Sequence, residues 1–259
     1  MEFPDNVKTI ISKFEPITLS EMKDVELMNR TDIKYVFSID KFPYILEKAE
    51  RLYRILEVKN RRIHTYNNQY FDTDDYQMYS KHHSGHLNRY KIRYRNYELS
   101  NMAYLEIKFK SNKRRTIKKR IKNNFSTNIN RVSGNFIEKN SPYKPSDLTP
   151  ILTNDFQRIT LVHKTERERI TLDFNMSYAC NCSGPKKTQA LPKLAICEVK
   201  RKGYSNSSDF ISILKSNGIR QTSMSKYCIG AALLYDDLKQ NRFKTKLTFI
   251  ENIHNSNNK

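Results

Sequence analysis

Residues 30 to 39 alternate in character. Arg30, Asp32 and Lys34 fall on one face and Thr31, Ile33, Tyr35, Phe37 and Ile39 on the other, which is the two-residue period of a β-strand. The period returns at 63–72, 89–97, 103–110, 116–121, 156–160, 167–174 and 194–200, and the spacing of 103–110 and 116–121 predicts a hairpin. Between these stretches the period lengthens. From Asp40, a suitable N-cap, Phe42, Ile45, Leu46, Ala49, Leu52 and Leu56 recur at helical spacing, and Pro43 is tolerable in a first turn. Two further helices are expected at 209–217, ended by Gly218, and at 227–238, capped by Ser225. Residues 74–83 read as a helical or turn segment, 122–150 as a loop or helical excursion, and 180–193 as a polar loop. One domain is expected over 1–240, with 241–259 a polar, disordered tail.

The polar faces of these strands are unusual. In Arg89-Tyr90-Lys91-Ile92-Arg93-Tyr94-Arg95 four cations share one face while Tyr90, Ile92 and Tyr94 share the other. Four like charges on a single strand face repel one another unless water or an anion neutralises them. Lys108 and Lys110 repeat the pattern beside Glu106, as do Lys118 and Arg120, Arg167 and Arg169, and Lys200 beside Glu198.

Composition agrees, since a formal charge of +20 on 259 residues implies a polyanionic partner. The chain has no apolar run long enough to span a bilayer, and Met1-Glu2-Phe3-Pro4-Asp5 lacks the pattern of a signal peptide, so a cytoplasmic location is expected. Cys180, Cys182, Cys197 and Cys228 lack zinc-site spacing and read as reduced, incidental thiols. None of the six glycines sits in a P-loop or Rossmann pattern, so side chains must grip any phosphate. His82, His83 and His86 read as surface histidines.

The pattern predicts an α+β fold: a closed antiparallel β-barrel of about eight strands forming a basic tunnel, with helices packed on its apolar exterior. The inverted arrangement, a barrel with a basic exterior suited to RNA, is disfavoured for two reasons. Asp32, Glu106 and Glu198 sit within the basic faces, which suits metal coordination beside phosphates, and the aromatic residues of 89–95 lie opposite the cations rather than beside them.

Seven motifs occur in order: Arg30-x-Asp32-x-Lys34-Tyr35, Tyr70-Phe71-Asp72-Thr73, Lys91-Ile92-Arg93-Tyr94-Arg95, Leu105-Glu106-Ile107-Lys108, Arg169-Ile170-Thr171-Leu172-Asp173, Glu198-Val199-Lys200 and Ser223-x-Ser225-Lys226-Tyr227. Together they resemble the VTC domain, the polyphosphate polymerase domain of the vacuolar transporter chaperone complex and its bacterial relatives, within the triphosphate tunnel metalloenzymes. The resemblance implies a phosphotransferase that moves the γ-phosphoryl group of ATP onto a growing polyphosphate chain, with Mn²⁺ or Mg²⁺ as cofactor. It implies phosphate ligation by Lys34, Lys91, Arg93, Lys108, Lys118, Arg158, Arg169, Lys200 and Lys226, with Glu198 on the metal and Lys34, Arg93 and Glu198 as the catalytic residues. Glu106 is a further metal candidate from its own strand position. Two features depart from the expected pattern: Lys91 stands in place of an arginine, and Arg158 lies in a Phe-Gln-Arg context. ATP and polyphosphate are the expected partners and no specific nucleic acid is; a membrane partner would be another chain. The alternatives are a tripolyphosphate or nucleoside triphosphate hydrolase of the same fold, or a non-catalytic binder of polyphosphate or RNA.

Overall fold

The computed structural model describes residues 5–23, 30–113, 115–182, 184–202 and 208–255. In chain order the helices and strands are α1 (Asp5–Ser12), β1 (Pro16–Ile17), β2 (Arg30–Ser38), α2 (Phe42–Glu50), β3 (Tyr53–Leu56), β4 (His64–Asp72), α3 (Gln77–His83), β5 (Arg89–Tyr97), β6 (Met102–Lys110), β7 (Thr116–Lys122), α4 (Arg131–Asn140), β8 (Thr149–His163), β9 (Glu168–Cys180), β10 (Thr188–Leu191), β11 (Leu194–Lys202), α5 (Asp209–Ser216), α6 (Lys226–Leu234) and α7 (Lys244–Asn255). Eight strands form one path across the sheet, β2-β11-β9-β8-β4-β5-β6-β7, with every neighbour antiparallel. The α+β expectation holds.

The sheet curls until its two ends face each other: Asp32 and Lys34 of β2 line the same cavity as Lys108, Lys110 and Thr116 of β6 and β7. It does not close. The expectation of a closed barrel is therefore corrected to an open, curled half-barrel. The outer edge of β2 is already in use, because Thr222 N–H donates to the Lys34 carbonyl at 2.8 Å and Gln221 bridges Tyr35. The facing strand β7 is exposed along nearly its whole length and carries Lys118, Lys119, Arg120 and Lys122, a charged edge of the kind that resists pairing.

Two apolar layers cover the sheet. Phe42 and Leu46 of α2 and Phe210 and Leu214 of α5 pack with Phe174 and Leu172 of β9, and Phe42 meets Phe174 edge-on at 5.4 Å. Burying each such side chain contributes about 2 kcal/mol. On the other half Ile137 of α4 joins Tyr94, Leu105 and Ile107. Helix α6 differs from the rest: seven of its nine residues are buried, as a helix apolar on all sides requires. It packs into the concave face. Tyr227 stacks on Tyr70 at 5.3 Å, and a Cβ placed on Gly230 would stand 2.4 Å from the Tyr178 ring, so only glycine allows this approach.

Several expectations change locally. The helix expected from Asp40 is α2, which follows Lys41 as its N-cap and stops at Glu50, and Tyr53–Leu56 form β3 instead, with Tyr53 and Ile55 fully buried and Arg54 only partly so; a short apolar run cannot distinguish the two periods. The 122–150 excursion contains α4, capped by Asn130, whose side chain accepts from Ser133 N–H. Residues 244–255 of the expected disordered tail form α7, which docks on β11 and buries Ile250 and Ile253; residues 256–259 lie outside the described part. Cys180 and Cys182 form a disulfide, while Cys197 and Cys228 are buried free thiols. Among the described residues no helix is long and apolar enough to cross a membrane.

Candidate active site

Strand alternation delivers the charged side chains to the concave face in cross-strand rows. Lys91 stands opposite Lys108, which stands opposite Lys118, while Arg93 stands opposite Glu106. Across the channel Lys34 lies opposite Glu198, Asp32 opposite Lys200, and Lys200 opposite Arg169. From below, the N-terminus of α6 contributes Ser225 and Lys226: Ser225 caps the helix by accepting from Cys228 N–H at 3.2 Å and also accepts from Lys91 Nζ at 2.6 Å. Positive charge and the free end of the helix dipole thus point the same way.

Three carboxylates organise the cations. Glu106, 3% exposed, accepts through Oε2 from Arg93 Nε at 2.9 Å and Nη2 at 2.7 Å, while Oε1 meets Lys118 Nζ at 2.5 Å. Arg93 uses its remaining arm to donate to the Tyr70 hydroxyl at 3.0 Å. Glu198 touches both Lys34 and Lys200, and Lys200 also donates to Thr171 Oγ1 at 3.2 Å. Asp173 accepts a two-pronged contact from Arg158, Nε at 2.5 Å and Nη2 at 2.8 Å, together with Lys226 Nζ at 2.5 Å.

Burial raises the pKa of Glu106, but Arg93, Arg95 and Lys118 outweigh it and hold the carboxyl well below its usual range. Asp173 follows the same balance, with Arg158 and Lys226 prevailing over burial. The lysines move down. The channel walls, with Lys91 and Arg93, push Lys108 to about 8; burial takes Lys118 to about 8 against the pull of Glu106; burial and Arg158 take Lys200 to about 7. Lys34 is lowered too, by burial and by Lys108 and Lys200. Crowded cations that shed protons mark a site short of negative charge.

All nine cations expected from the sequence lie on this face, and Arg169 joins it through its pairing with Lys200. The sequence reading missed Asp173 as their organiser, although it shares a strand face with Arg169 and Thr171. Tyr104 and Phe156 stand on the cation face, as the alternation of their strands places them, and the sequence reading missed that Tyr66 and Tyr97 join them there. Arg158 lies over Tyr66 at 4.9 Å, Lys226 over Phe156 at 4.6 Å and Arg120 over Tyr104 at 4.7 Å, so these rings hold cations. The histidines are not all at the surface. His83 is buried against Phe243 and accepts from Arg242 N–H, and His82 lines the channel mouth. Among the described residues no three His, Cys, Asp or Glu side chains converge as a metal cluster.

The VTC domain family model matches residues 29–235, the span that carries this face. The chain belongs to the VTC domain family. No curated protein matches it. Solved structures similar to this VTC chain include a candidate adenylate cyclase from Vibrio parahaemolyticus, 10% identical with TM-score 0.47, covering 78% of this chain and 97% of that one. A candidate adenylate cyclase from Bacillus halodurans is 16% identical with TM-score 0.46, covering 77% and 96%. A candidate adenylyl cyclase from Hippeastrum, described as having a dominant triphosphatase activity, is 13% identical with TM-score 0.44, covering 79% and 96%. Similarity at this level carries no argument about the chemistry of the VTC chain.

Proposed function

We propose that this VTC domain is an ATP-dependent polyphosphate polymerase working inside the cationic channel. The terminal phosphate oxygen of the chain forms a bond to the γ-phosphorus of ATP, the bond from that phosphorus to the β,γ-bridging oxygen breaks, and ADP leaves with that oxygen. Phosphoryl transfer of this kind needs positioning and charge stabilisation rather than a nucleophilic side chain. The observation that carries the reading is the charge balance: among the described residues these nine cations outnumber the carboxylates Asp32, Glu106, Asp173 and Glu198 beside them, a surplus suited to a row of phosphates.

Roles follow from the contacts. Lys34, Lys91, Lys108, Lys118, Lys200 and Lys226 act as mobile point charges, while Arg93 and Arg158, whose forks are held by Glu106 and Asp173, and Arg169 supply fixed planar charge. Glu198, 18% exposed and touching Lys34 and Lys200, would hold a divalent ion through its carboxylate once phosphates draw those lysines away. Such an ion, when bound, neutralises charge developing between the β- and γ-phosphates. Glu106, committed to Arg93 and Lys118, serves as their counter-ion and stays outside that shell.

Incubation with ATP and Mn²⁺ tests the proposal. Long phosphate chains are expected; orthophosphate alone indicates hydrolysis, and unchanged ATP despite tight binding indicates a binder. Arg93→Ala and Glu198→Ala should each nearly abolish turnover in a folded protein, and full activity in either removes the site assignment.

A further inference from the structure

Strand β7 ends the sheet path, and among the described residues nothing pairs with its outer edge, whereas the outer edge of β2 is met by Gln221 and Thr222. Which backbone groups that edge offers follows from the ladder to β6. Ser111 N–H donates to the Arg115 carbonyl at 2.9 Å where the hairpin turns, and Asn123 N–H donates to the Ala103 carbonyl at 3.1 Å at the far end. Both pairs share the register that sets Lys108 opposite Lys118. Bonded and non-bonded pairs alternate along an antiparallel ladder, so Ile117, Lys119 and Ile121 turn their N–H and C=O groups toward β6. Thr116, Lys118, Arg120 and Lys122 turn theirs outward, one set every ~6.8 Å at about 3.4 Å per residue.

The side chains of the same residues set what can pair there. Lys118, Arg120 and Lys122 stand on the concave side and are exposed, although Lys118 meets Glu106 and Arg120 lies over Tyr104. On the convex side Ile117 is 49% exposed and Ile121 partly buried, with Lys119 between them donating to Asn140 of α4 at 2.8 Å. A second copy of β7 is rejected, because like edges would set cation against cation. The edge fits a strand of opposite charge whose acidic side chains fall on the concave side and whose apolar side chains fall beside Ile117 and Ile121.

We propose that the open edge of β7 is a docking site for an extended acidic segment of a partner protein, added antiparallel to the sheet with acidic and apolar residues in alternation. Its acidic residues lie opposite Lys118, Arg120 and Lys122 and exchange backbone hydrogen bonds with them. The site shares only Lys118 with the phosphate grip.

A capped heptapeptide that alternates Glu and Val, titrated into the full chain, tests the docking. Methylating the Glu backbone nitrogens removes the N–H groups that face β7 and should weaken binding by at least about tenfold, while methylating the Val nitrogens, which face away, should change it by less than about threefold. A peptide of the same composition with all its Glu before all its Val loses the cross-strand pairs and should bind at least about tenfold more weakly. Arg120→Glu/Lys122→Glu should weaken the alternating peptide by about tenfold or more. Equal affinity for the two methylated peptides, or for the alternating and block peptides, overturns strand addition and leaves charge attraction alone. An alternating peptide that does not bind the wild-type chain, or binds the double variant equally well, removes β7 as the site.

Discussion

Tyr227 donates its hydroxyl to Asp72 Oδ2 at 2.5 Å, fastening the buried helix α6 to the end of β4. Asp72 is fully buried and also accepts from the N–H groups of Thr73 at 2.8 Å, Met78 at 2.8 Å and Tyr79 at 2.9 Å, so one carboxyl ties β4, α3 and α6 together. Removing it strands three amides and a phenol. Asp72→Ala should cost about 3–5 kcal/mol and Tyr227→Phe about 1–2 kcal/mol. Urea midpoints measure both, and an Asp72→Ala variant within about 1 kcal/mol of wild type would show that the hub is dispensable.

Acid should unfold the channel through its carboxylates. Glu106 and Asp173 have folded pKa values below their ordinary 4.5 and 3.8, so their stabilisation is present above that range and is lost as pH falls through the folded values. Glu106→Gln, which leaves Arg93 and Lys118 without their counter-ion, should lose about 3 kcal/mol at pH 7. The gap to wild type should shrink as pH drops below about 4. Parallel melting curves at neutral and acid pH that keep a constant gap would contradict the assignment.

The sheet was legible because every second side chain on β2, β5, β6, β9 and β11 chooses between apolar core and cationic channel, a choice that alternation records directly. What the alternation does not record is which edges pair. β2 finds Gln221 and Thr222, far along the chain, and so the sheet stays open. Asp173 escaped notice because its partners Arg158 and Lys226 lie 15 and 53 positions away. Helix α7 escaped because its buried positions, Ile250 and Ile253, are sparse among polar residues, and because Lys193, whose Nζ reaches the His254 carbonyl at 2.9 Å, fastens it from a distant loop.

Polyanion binding should take up protons. In the free protein Lys108 and Lys118 are pushed down to about 8 by the channel walls and neighbouring cations, and adjacent phosphates reverse that pressure. Near pH 8 binding therefore draws protons from solution, and affinity falls as pH rises from 7 to 9. Without ligand the sign inverts: folded pKa values below 10.5 mean that these lysines' unfavourable contribution fades as pH rises past 8. Calorimetry in buffers of different ionisation enthalpy reads the uptake; proton release, or affinity independent of pH, would refute it.

Ser225 separates the helix cap from the channel charge. Its hydroxyl oxygen accepts from Cys228 N–H, holding the start of α6, and from Lys91 Nζ. Ser225→Ala removes the acceptor of both bonds and should cost about 1 kcal/mol through the cap. Aspartate caps a helix as well as serine does, so Ser225→Asp should keep the melting temperature within about 2 °C. The new carboxylate, however, sits beside Lys91 and competes with phosphate for it, so tripolyphosphate affinity should fall by about tenfold or more. Thermal melts and titrations on the two variants resolve the pair of roles. An aspartate variant that binds tripolyphosphate as tightly as wild type would place the phosphates away from the α6 N-terminus.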